Sequence, residues 1–304
     1  MGIVVFGAVF VDIKGYPNGV YIPGGRNVGR IKQVHGGVSR NVAENIANIE
    51  LKPTFVSVVD DSGFGQDVIN NLNDHHVNTQ YMLKTPDGMG TWLAVFNHNG
   101  DVVASISKRP DLSPLKDILD KKGDEIFKNA DSIVVEFDMD EDILKKVFFY
   151  AEKNHKKVYA VISNMSIAQE RREMLKDIDC LVCNKQEAEI FFQEDYAKVN
   201  ALDMANILKK NIEKAKISKM VVTMGPEGAV YAEAFKDQGY TEARTVDVID
   251  TTGAGDSFFT GVAIGLTYGK TLKEACEIGT RLAASVIGTT ESVCPHFMPE
   301  EFGL

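Results

Sequence analysis

Residues 250–256 combine a glycine-rich turn with acidic groups, and this combination suits phosphoryl transfer. They read Asp-Thr-Thr-Gly-Ala-Gly-Asp, follow a β-rich run at 245–249 and precede an apolar, helix-like segment at 257–266. Gly253 and Gly255, on either side of Ala254, allow backbone N–H groups to converge at the positive end of the predicted helix, where an anion binds well. Asp256 can then accept the proton of an attacking hydroxyl, and the helix end should keep its carboxylate ionised.

The same residues have a simpler interpretation. Two glycines also make an ordinary tight connection between a strand and a helix, and an acidic residue is common in a first helical turn. Other phosphate-binding motifs are missing. The stretch from Gly265 to Thr271 has three residues between its glycines where a P-loop needs four, and no Gly-x-Gly-x-x-Gly follows the first strand.

A second group of residues is suited to binding a polyol. Gly36 and Gly37 permit close approach of the backbone to a ligand, and the Asn41 amide both donates and accepts hydrogen bonds. Asp12, at the end of the first predicted strand, supplies a carboxylate for hydroxyl groups. Taken singly, Asp12 could cap a turn and Asn41 could cap a helix.

Together these motifs resemble those of the ribokinase-like, phosphofructokinase-B type family of sugar and nucleoside kinases. Asp-Thr-x-Gly-Ala-Gly-Asp matches the family signature at every defined position, and residues 36–43 resemble its Gly-Gly-x-x-x-Asn-x-Ala motif. The resemblance spans essentially the whole chain, with the motifs in family order. It implies transfer of the γ-phosphoryl of ATP to a hydroxymethyl group, with Asp256 as the base and the amides of Gly253, Ala254 and Gly255 as the anion hole.

The resemblance also assigns binding roles to other residues. The substrate would be held by Asp12, Gly36, Gly37, Arg40 and Asn41, although Arg40 is equally interpretable as a surface or structural ion-pair residue. The nucleotide would contact Asn184, Thr223, Gly225, Gly228 and Thr252. In the Asn-x-x-Glu motif, Glu187 would organise Mg²⁺ through water, and Asp250 is a candidate neighbour of a monovalent cation such as K⁺. Ser163-Asn164 stands where sugar kinases of this family often have Asp-x-Asn or Asp-Pro, which leaves one phosphate contact open.

The pattern of apolar residues predicts an α/β fold. Strand-like runs alternate with helical patterns, so we expect one domain over 1–304, a three-layer ribokinase-like fold with a mostly parallel central sheet. Strands are predicted at 3–11, 54–59, 131–136, 158–162, 180–183, 219–223 and 245–249. Helices are predicted at 41–49, 64–75, 141–154, 186–193, 201–215, 255–267 and 271–287. Segments 13–35 and 90–107, the second a β-hairpin around 97–101, are predicted to pair as a small β lid inserted in the domain.

Composition favours a globular protein that acts on a small molecule. The 304 residues carry a net charge of -10, which argues against nucleic acid and against an anionic membrane surface. The apolar start of the chain, 1–11, is too short to span a bilayer and lacks a basic leader, so we expect a cytoplasmic protein. Cys180 and Cys183 lie in an apolar run and are interpreted as reduced core residues instead of metal ligands.

The substrate is predicted less sharply than the chemistry. The Arg40-Asn41 pair and the segments 12–16 and 29–32 are most similar to the pseudouridine kinase branch, so pseudouridine or a similar nucleoside is placed ahead of free ribose or fructose. A non-catalytic sugar-binding regulator is the alternative from another class. The exposed edge of the predicted lid is a candidate surface for a homodimer.

Overall fold

A computed structural model of the chain describes residues 2–98, 101–162 and 164–304. The helices are α1 (Val38–Ala47), α2 (Gly63–Asp74), α3 (Pro114–Lys128), α4 (Glu141–Lys153), α5 (Met165–Glu170), α6 (Lys185–Phe192), α7 (Ala201–Ala215), α8 (Ala254–Thr267) and α9 (Leu272–Ile287). The strands are β1 (Val4–Phe6), β2 (Phe10–Pro17), β3 (Gly29–Gly36), β4 (Thr54–Asp60), β5 (Asn78–Thr85), β6 (Gly90–Phe96), β7 (Val102–Lys108), β8 (Ile133–Glu136), β9 (Val158–Val161), β10 (Cys180–Asn184), β11 (Lys219–Thr223), β12 (Ala229–Glu233) and β13 (Gln238–Thr241). Positions 99 and 100 of the predicted hairpin turn, and Ser163 of the Ser163-Asn164 departure, lie outside the described residues.

A large, mostly parallel sheet forms the centre of the fold, as predicted. Its order is β13-β12-β11-β10-β9-β8-β1-β4-β5, and only β12 and β13 pair antiparallel to their neighbours. Successive side chains of a strand point to opposite faces. In β1, Val4 and Phe6 therefore join a core with α3, α4 and α7, whereas Val5 joins a core with α1, α2, α8 and α9. The result is a three-layer α/β structure.

A smaller sheet has the order β3-β2-β6-β7. Its strands come from the two segments predicted to form a lid, and β2 pairs antiparallel to β3 and parallel to β6. The β6–β7 hairpin is present as predicted. Every residue of β7 is exposed, so this strand is an open edge of the small sheet.

Two strand predictions were wrong in ways that affect the site. The predicted strand 3–11 is two strands, because the chain leaves the large sheet after Phe6 and enters the small one at Phe10. Asp12 therefore lies within β2 of the small sheet, not at the end of the first strand.

The predicted strand 245–249 is an irregular segment. The N–H groups of Ile249 and Asp250 both donate to the Ile287 carbonyl at the end of α9, and no strand among the described residues pairs with this run. Val248 and Ile249 are 67% and 61% exposed. The β-branched residues favoured a strand locally, but strand formation also needs a pairing partner.

The four cysteines are free and buried, as expected for core residues. Cys180 and Cys183 point to opposite faces of the large sheet, into the two different cores. Over the described ranges, no helix is long and apolar enough to cross a membrane.

Candidate active site

A cavity of about 590 Å³ lies where the carboxyl ends of β1 and β8 meet the start of α8. Ligands of parallel α/β sheets bind characteristically at this edge. The small sheet contributes Phe10, Asp12, Trp92 and Ser107 to the lining. Six of the predicted site residues line the cavity together: Asp12, Gly37, Asn41, Thr252, Gly253 and Asp256.

The turn before α8 requires glycine at one position. Gly253 is the N-cap of α8 with φ of 80°, a left-handed conformation that residues with a Cβ rarely adopt. A Cβ at this position would also lie 2.0 Å from the Ser292 carbonyl oxygen. This turn places Asp256 in the first turn of α8, facing the cavity.

Asp256 is anchored by Asn41. The Asn41 Nδ2 donates to Asp256 Oδ2 at 2.6 Å, which joins the two sequence motifs across 215 residues. Burial raises the pKa of Asp256 to about 6, although the Asn41 hydrogen bond and the charge of Arg40 act in the opposite direction. Burial thus outweighs the expected effect of the helix end. The carboxylate is still ionised at pH 7, with a proton affinity suited to a general base.

Asn41 and Asn45 of helix α1 and its C-cap Asn48 hold neighbouring elements in place. Asn45 Nδ2 donates to Ser257 Oγ at 3.1 Å, and its Oδ1 accepts from the Cys294 N–H at 2.6 Å. Asn48 Nδ2 donates to the Cys294 carbonyl at 2.7 Å. The spacing of Asn41, Asn45 and Asn48 therefore fastens α1 to the start of α8 and to the segment after α9.

Asp12 lies beside Gly36, and this contact explains the glycine. A Cβ at position 36 would be 2.4 Å from Asp12 Oδ1. The adjacent Gly37 caps α1 with φ of 101°, and a Cβ there would lie 2.7 Å from the Ala8 carbonyl oxygen. Burial raises the pKa of Asp12, whereas the charges of Lys14 and Arg40 lower it. The glycine pair thus makes room for a carboxylate and for a sharp entry into α1.

Arg40 is placed in a buried ion pair and is absent from the cavity lining. It is 3% exposed, its Nη1 lies 2.5 Å from Glu44 Oε2, and its Nη2 donates to the His35 carbonyl at 2.8 Å. The geometry matches the ion-pair interpretation of Arg40. Its charge nevertheless lowers the pKa of both Asp12 and Asp256.

Sequence reasoning missed several residues that line the cavity. Glu136, the last residue of β8, accepts from the Ala8 N–H at 3.2 Å and from Ser39 Oγ at 2.9 Å, and burial raises its pKa to about 7. Arg109 follows β7 directly. The detectable signal for Glu136 was an acidic residue at the carboxyl end of a buried strand. The remaining unpredicted lining residues are Ala8, Phe10, Val38, Trp92, Ser107, Pro110, Leu112, Asp138, Met139, Asp140 and Asn164.

The predicted anion hole is partly engaged within the protein. The Ala254 N–H donates to the Thr251 carbonyl at 3.3 Å. At Gly255 a Cβ would meet only open space, so a ligand can approach the backbone there closely. The Thr252 N–H donates to Asp250 Oδ1 at 2.9 Å, which shapes the same turn.

Of the predicted nucleotide-binding residues, Thr252 lines the cavity, and the other four lie outside its lining at two strand ends and in the turn that follows one of them. Asn184 and Thr223 are direct partners in the β10–β11 ladder. Asn184 and Glu187 form a capping box at the start of α6, with the Glu187 N–H 2.8 Å from Asn184 Oδ1. Gly225 and Gly228 bracket the β11–β12 turn with positive φ angles, and a Cβ at 228 would lie 2.0 Å from the Thr241 carbonyl oxygen.

Comparison with known proteins identifies the family. A family model described as pfkB family carbohydrate kinase matches residues 2–295. This chain belongs to the pfkB family of carbohydrate kinases. It is therefore a phosphotransferase with an alcohol group as acceptor, and kinases of this family use ATP.

Relatives of this kinase act on sugars and nucleosides. It is 34% identical to a guanosine-inosine kinase of Exiguobacterium acetylicum over 293 residues, which are 95% of each chain. A pseudouridine kinase of Escherichia coli is 25% identical over 270 residues, 86% of this chain and 82% of that one. The structure of Arabidopsis thaliana ribokinase complexed with ribose and ATP superposes with a TM-score of 0.83 at 19% identity, covering 99% of this chain and 97% of that chain. That likeness confirms the ribokinase-like fold.

Proposed function

We propose that this kinase transfers the γ-phosphoryl group of ATP to the hydroxymethyl group of a nucleoside. The observation that carries the proposal is the Asn41–Asp256 contact of 2.6 Å at the edge of the cavity. It joins a residue suited to holding sugar hydroxyls to a residue suited to deprotonating one. Asp256, half-buried at the start of α8 with a pKa of about 6, takes the proton as the acceptor oxygen attacks.

We propose that the polar end of the cavity holds the sugar. The Asp12 carboxylate and the carboxyl group of Glu136 accept hydrogen bonds from hydroxyl groups, and the Asn41 amide offers both a donor and an acceptor. Gly36 and Gly37 contribute by making room for Asp12 and by shaping the start of α1. Arg40 contributes through its charge.

The developing negative charge on the phosphoryl group needs donors close to Asp256. The free end of α8 offers the N–H groups of Gly253 and Gly255, with Ala254 between them, and helix N-termini favour anions. Arg109 lines the same cavity and supplies a cation. We propose that these groups bind the transferring phosphoryl in the reaction.

For the nucleotide we propose the strand ends at Asn184 and Thr223, the turn with Gly225 and Gly228, and Thr252. Glu187 fits a Mg²⁺ ion held through water, because its carboxylate lies close enough to that of Asp138 for the two charges to repel. Within the ranges described, no three metal-ligating side chains converge, which suits an ion coordinated mainly by phosphate and water. When bound, Mg²⁺ would neutralise phosphate charge.

Glu187→Gln tests the Mg²⁺ assignment. It should raise the Mg²⁺ concentration needed for half-maximal turnover with little change in nucleoside affinity. Glu189→Gln, in the same helix, is the matched control. Asp250, in the turn before α8, is the proposed neighbour of a monovalent cation, and replacing K⁺ by Na⁺ in the assay tests that assignment.

A purine nucleoside is the first candidate acceptor. The match to the guanosine-inosine kinase covers 95% of both chains at 34% identity, against 25% for the pseudouridine kinase. Guanosine and inosine therefore come ahead of pseudouridine, which the motif residues predicted. Free ribose and other sugars follow, since a mouse ribokinase is 26% identical over 236 residues.

Asp256→Asn provides the direct test of the mechanism. It should lower kcat by roughly two or more orders of magnitude, as expected for loss of a general base, while the nucleoside Kd stays within a few-fold. Undiminished turnover by the variant would refute the role of Asp256.

We further propose that the small sheet acts as a lid inserted in a single domain over residues 1–304. Two chains could associate through its edge strands, where Ile31 of β3 is 77% exposed and Ile106 of β7 is 71% exposed. Sedimentation of wild type and Ile106→Lys would test the homodimer. We also propose a cytoplasmic location, because the reaction consumes ATP and the four cysteines are free.

A further inference from the structure

The inner face of the small sheet presents an aromatic side chain to the cavity beside the proposed sugar site. In the β2–β6 ladder Asp12 pairs directly with Trp92, and Trp92 pairs with Ser107 of β7. Paired residues point to the same face of a sheet, and all three line the cavity. Asp12, Trp92 and Ser107 thus form one row across the sheet.

Trp92 is held in place from behind. Its ring lies edge-to-face against Phe96 with centroids 6.4 Å apart, and Phe96 stacks on Tyr16 at 4.8 Å. Ala94, between the two aromatic residues on the same face of β6, is fully buried. The guanidinium of Arg30 lies over the Tyr16 ring at 5.4 Å. These aromatic contacts hold the indole in place before a ligand arrives.

The mechanism described above gives Trp92 no part, although it shares the cavity with Asp256. The cavity has an apolar side made by Phe10, Trp92, Leu112 and Met139, in addition to its polar side. A free pentose has hydroxyl groups on nearly every carbon and offers such a wall only a small face of C–H groups. A nucleoside has both a polyol and a flat aromatic base.

The spacing of the strands places the two sites at the distance a nucleoside requires. Neighbouring strands lie about 4.8 Å apart, so the Asp12 carboxylate and the Trp92 ring are adjacent. If Asp12 binds the sugar hydroxyls, the base attached to the same sugar extends to within reach of the next strand. That strand carries Trp92, with Ser107 beyond it to meet polar atoms on the edge of the base.

We propose that Trp92 is the platform on which the nucleobase of the acceptor stacks, and that the small sheet thereby selects nucleosides over free sugars. The inference rests on the proposed nucleoside kinase function and assigns base recognition within it. The two fused rings of indole overlap a two-ring purine over a larger area than they overlap a single-ring base. Stacking of a base on an aromatic side chain contributes about 1–3 kcal/mol, which corresponds to roughly 5- to 150-fold in affinity.

The chain has a single tryptophan, so its fluorescence reports on this site alone. Inosine, guanosine, pseudouridine and ribose would each be titrated into the wild type without ATP, with excitation at the red edge of the indole band, where the bases absorb little. Saturable quenching by the purine nucleosides, and none by ribose, is expected. Equal changes with ribose and inosine, or no change with inosine at concentrations that saturate turnover, would overturn the proposal.

Substitution separates stacking from a structural role. Trp92→Leu should raise the KM for inosine roughly 5- to 150-fold and leave kcat and the KM for ATP within about threefold, whereas Trp92→Phe should recover much of the affinity. Leu93→Ala, on the opposite face of β6, is the matched control and should behave as wild type. A fall in kcat with an unchanged KM for inosine in both Trp92 variants would contradict the platform.

The proposal and the underlying function fail in different ways. Absence of nucleoside phosphorylation by the wild type, with sugars phosphorylated instead, would refute the nucleoside kinase function. Efficient nucleoside phosphorylation with no effect of Trp92→Leu on the KM for inosine would refute only the platform.

Discussion

Replacing Asp256 by Asn should remove activity and at the same time stabilise the fold at neutral pH. Burial raises the pKa of Asp256 from its ordinary value of 3.8 to about 6. The folded chain therefore holds this proton more tightly than the unfolded chain does. The stability that protonation of Asp256 contributes to the fold is fully present below about pH 4 and is lost as the pH rises through about 6. At pH 8 the wild type carries a partly desolvated carboxylate, and in Asp256→Asn an uncharged amide takes its place.

The magnitude follows from the shift in pKa. A shift of roughly two units corresponds to about 3 kcal/mol, and water in the open cavity reduces this to an expected gain of about 1–2 kcal/mol. For chains of about 150–250 residues each kcal/mol changes Tm by roughly 2–4 °C. In the wild type the free-energy cost of the buried carboxylate at pH 5 is about half its value at pH 8. The stability gained by Asp256→Asn should therefore be about half as large at pH 5 as at pH 8.

Thermal unfolding of wild type and Asp256→Asn, followed by circular dichroism at pH 8 and pH 5, measures the effect. Asp61→Asn removes an exposed carboxylate and serves as the control for the change in net charge. An equal or lower Tm for Asp256→Asn at pH 8, or a gain of the same size at both pH values, would refute the argument that burial sets the proton affinity of this group.

Other substitutions test how the site is held. Arg40→Met should cost about 3–5 kcal/mol by removing the buried guanidinium that pairs with Glu44, and should move the acid limb of kcat/KM to higher pH because the charge of Arg40 lowers the pKa of Asp256. The double variant Arg40→Met/Glu44→Gln should restore stability in urea unfolding but not the pH profile; a profile identical to wild type would contradict the electrostatic role. Gly253→Ala should lower both stability and kcat, since its Cβ would lie 2.0 Å from a carbonyl oxygen at a φ of 80°. Gly255→Ala should melt like wild type, because its Cβ meets no protein atom, yet lose activity if phosphate approaches the backbone there as proposed; normal turnover by this variant would argue against the anion hole.

The two family-like motifs placed Asn41 and Asp256 in one predicted site. The structure brings their side chains into contact although they are 215 positions apart in the chain, a contact that the motifs alone did not specify. Periodicity predicted the parallel sheet because buried parallel strands are continuously apolar. These features have strong local signals.

The elements that the sequence pattern did not predict form because of tertiary contacts, which a local pattern does not show. Helix α3 was not predicted, and it contains Gly123, a residue that weakens an isolated helix. Its glycine is required because a Cβ would lie 2.4 Å from the Tyr150 ring. The division of the run 3–11 between two sheets likewise depends on which strands become partners, and the apolar pattern is the same in either case.

Glu136 and Trp92 show the same limit at the site. An acidic residue after a buried strand, or an aromatic residue in a hairpin, is ordinary by itself. Both become informative when the fold places them on the walls of the cavity that contains Asp256. The sequence therefore predicts the catalytic motifs better than the groups that select the substrate, because selection depends on which surfaces face one another.

The most direct test of the account is turnover with Mg-ATP across guanosine, inosine, pseudouridine, adenosine, ribose and fructose, with Asp256→Asn as the blank. Product phosphorylated at the sugar hydroxymethyl group, formed fastest from a purine nucleoside by the wild type and at least about a hundredfold more slowly by the variant, is the predicted result. Phosphorylation of a free sugar in preference to every nucleoside, or equal rates for wild type and variant, would contradict the account.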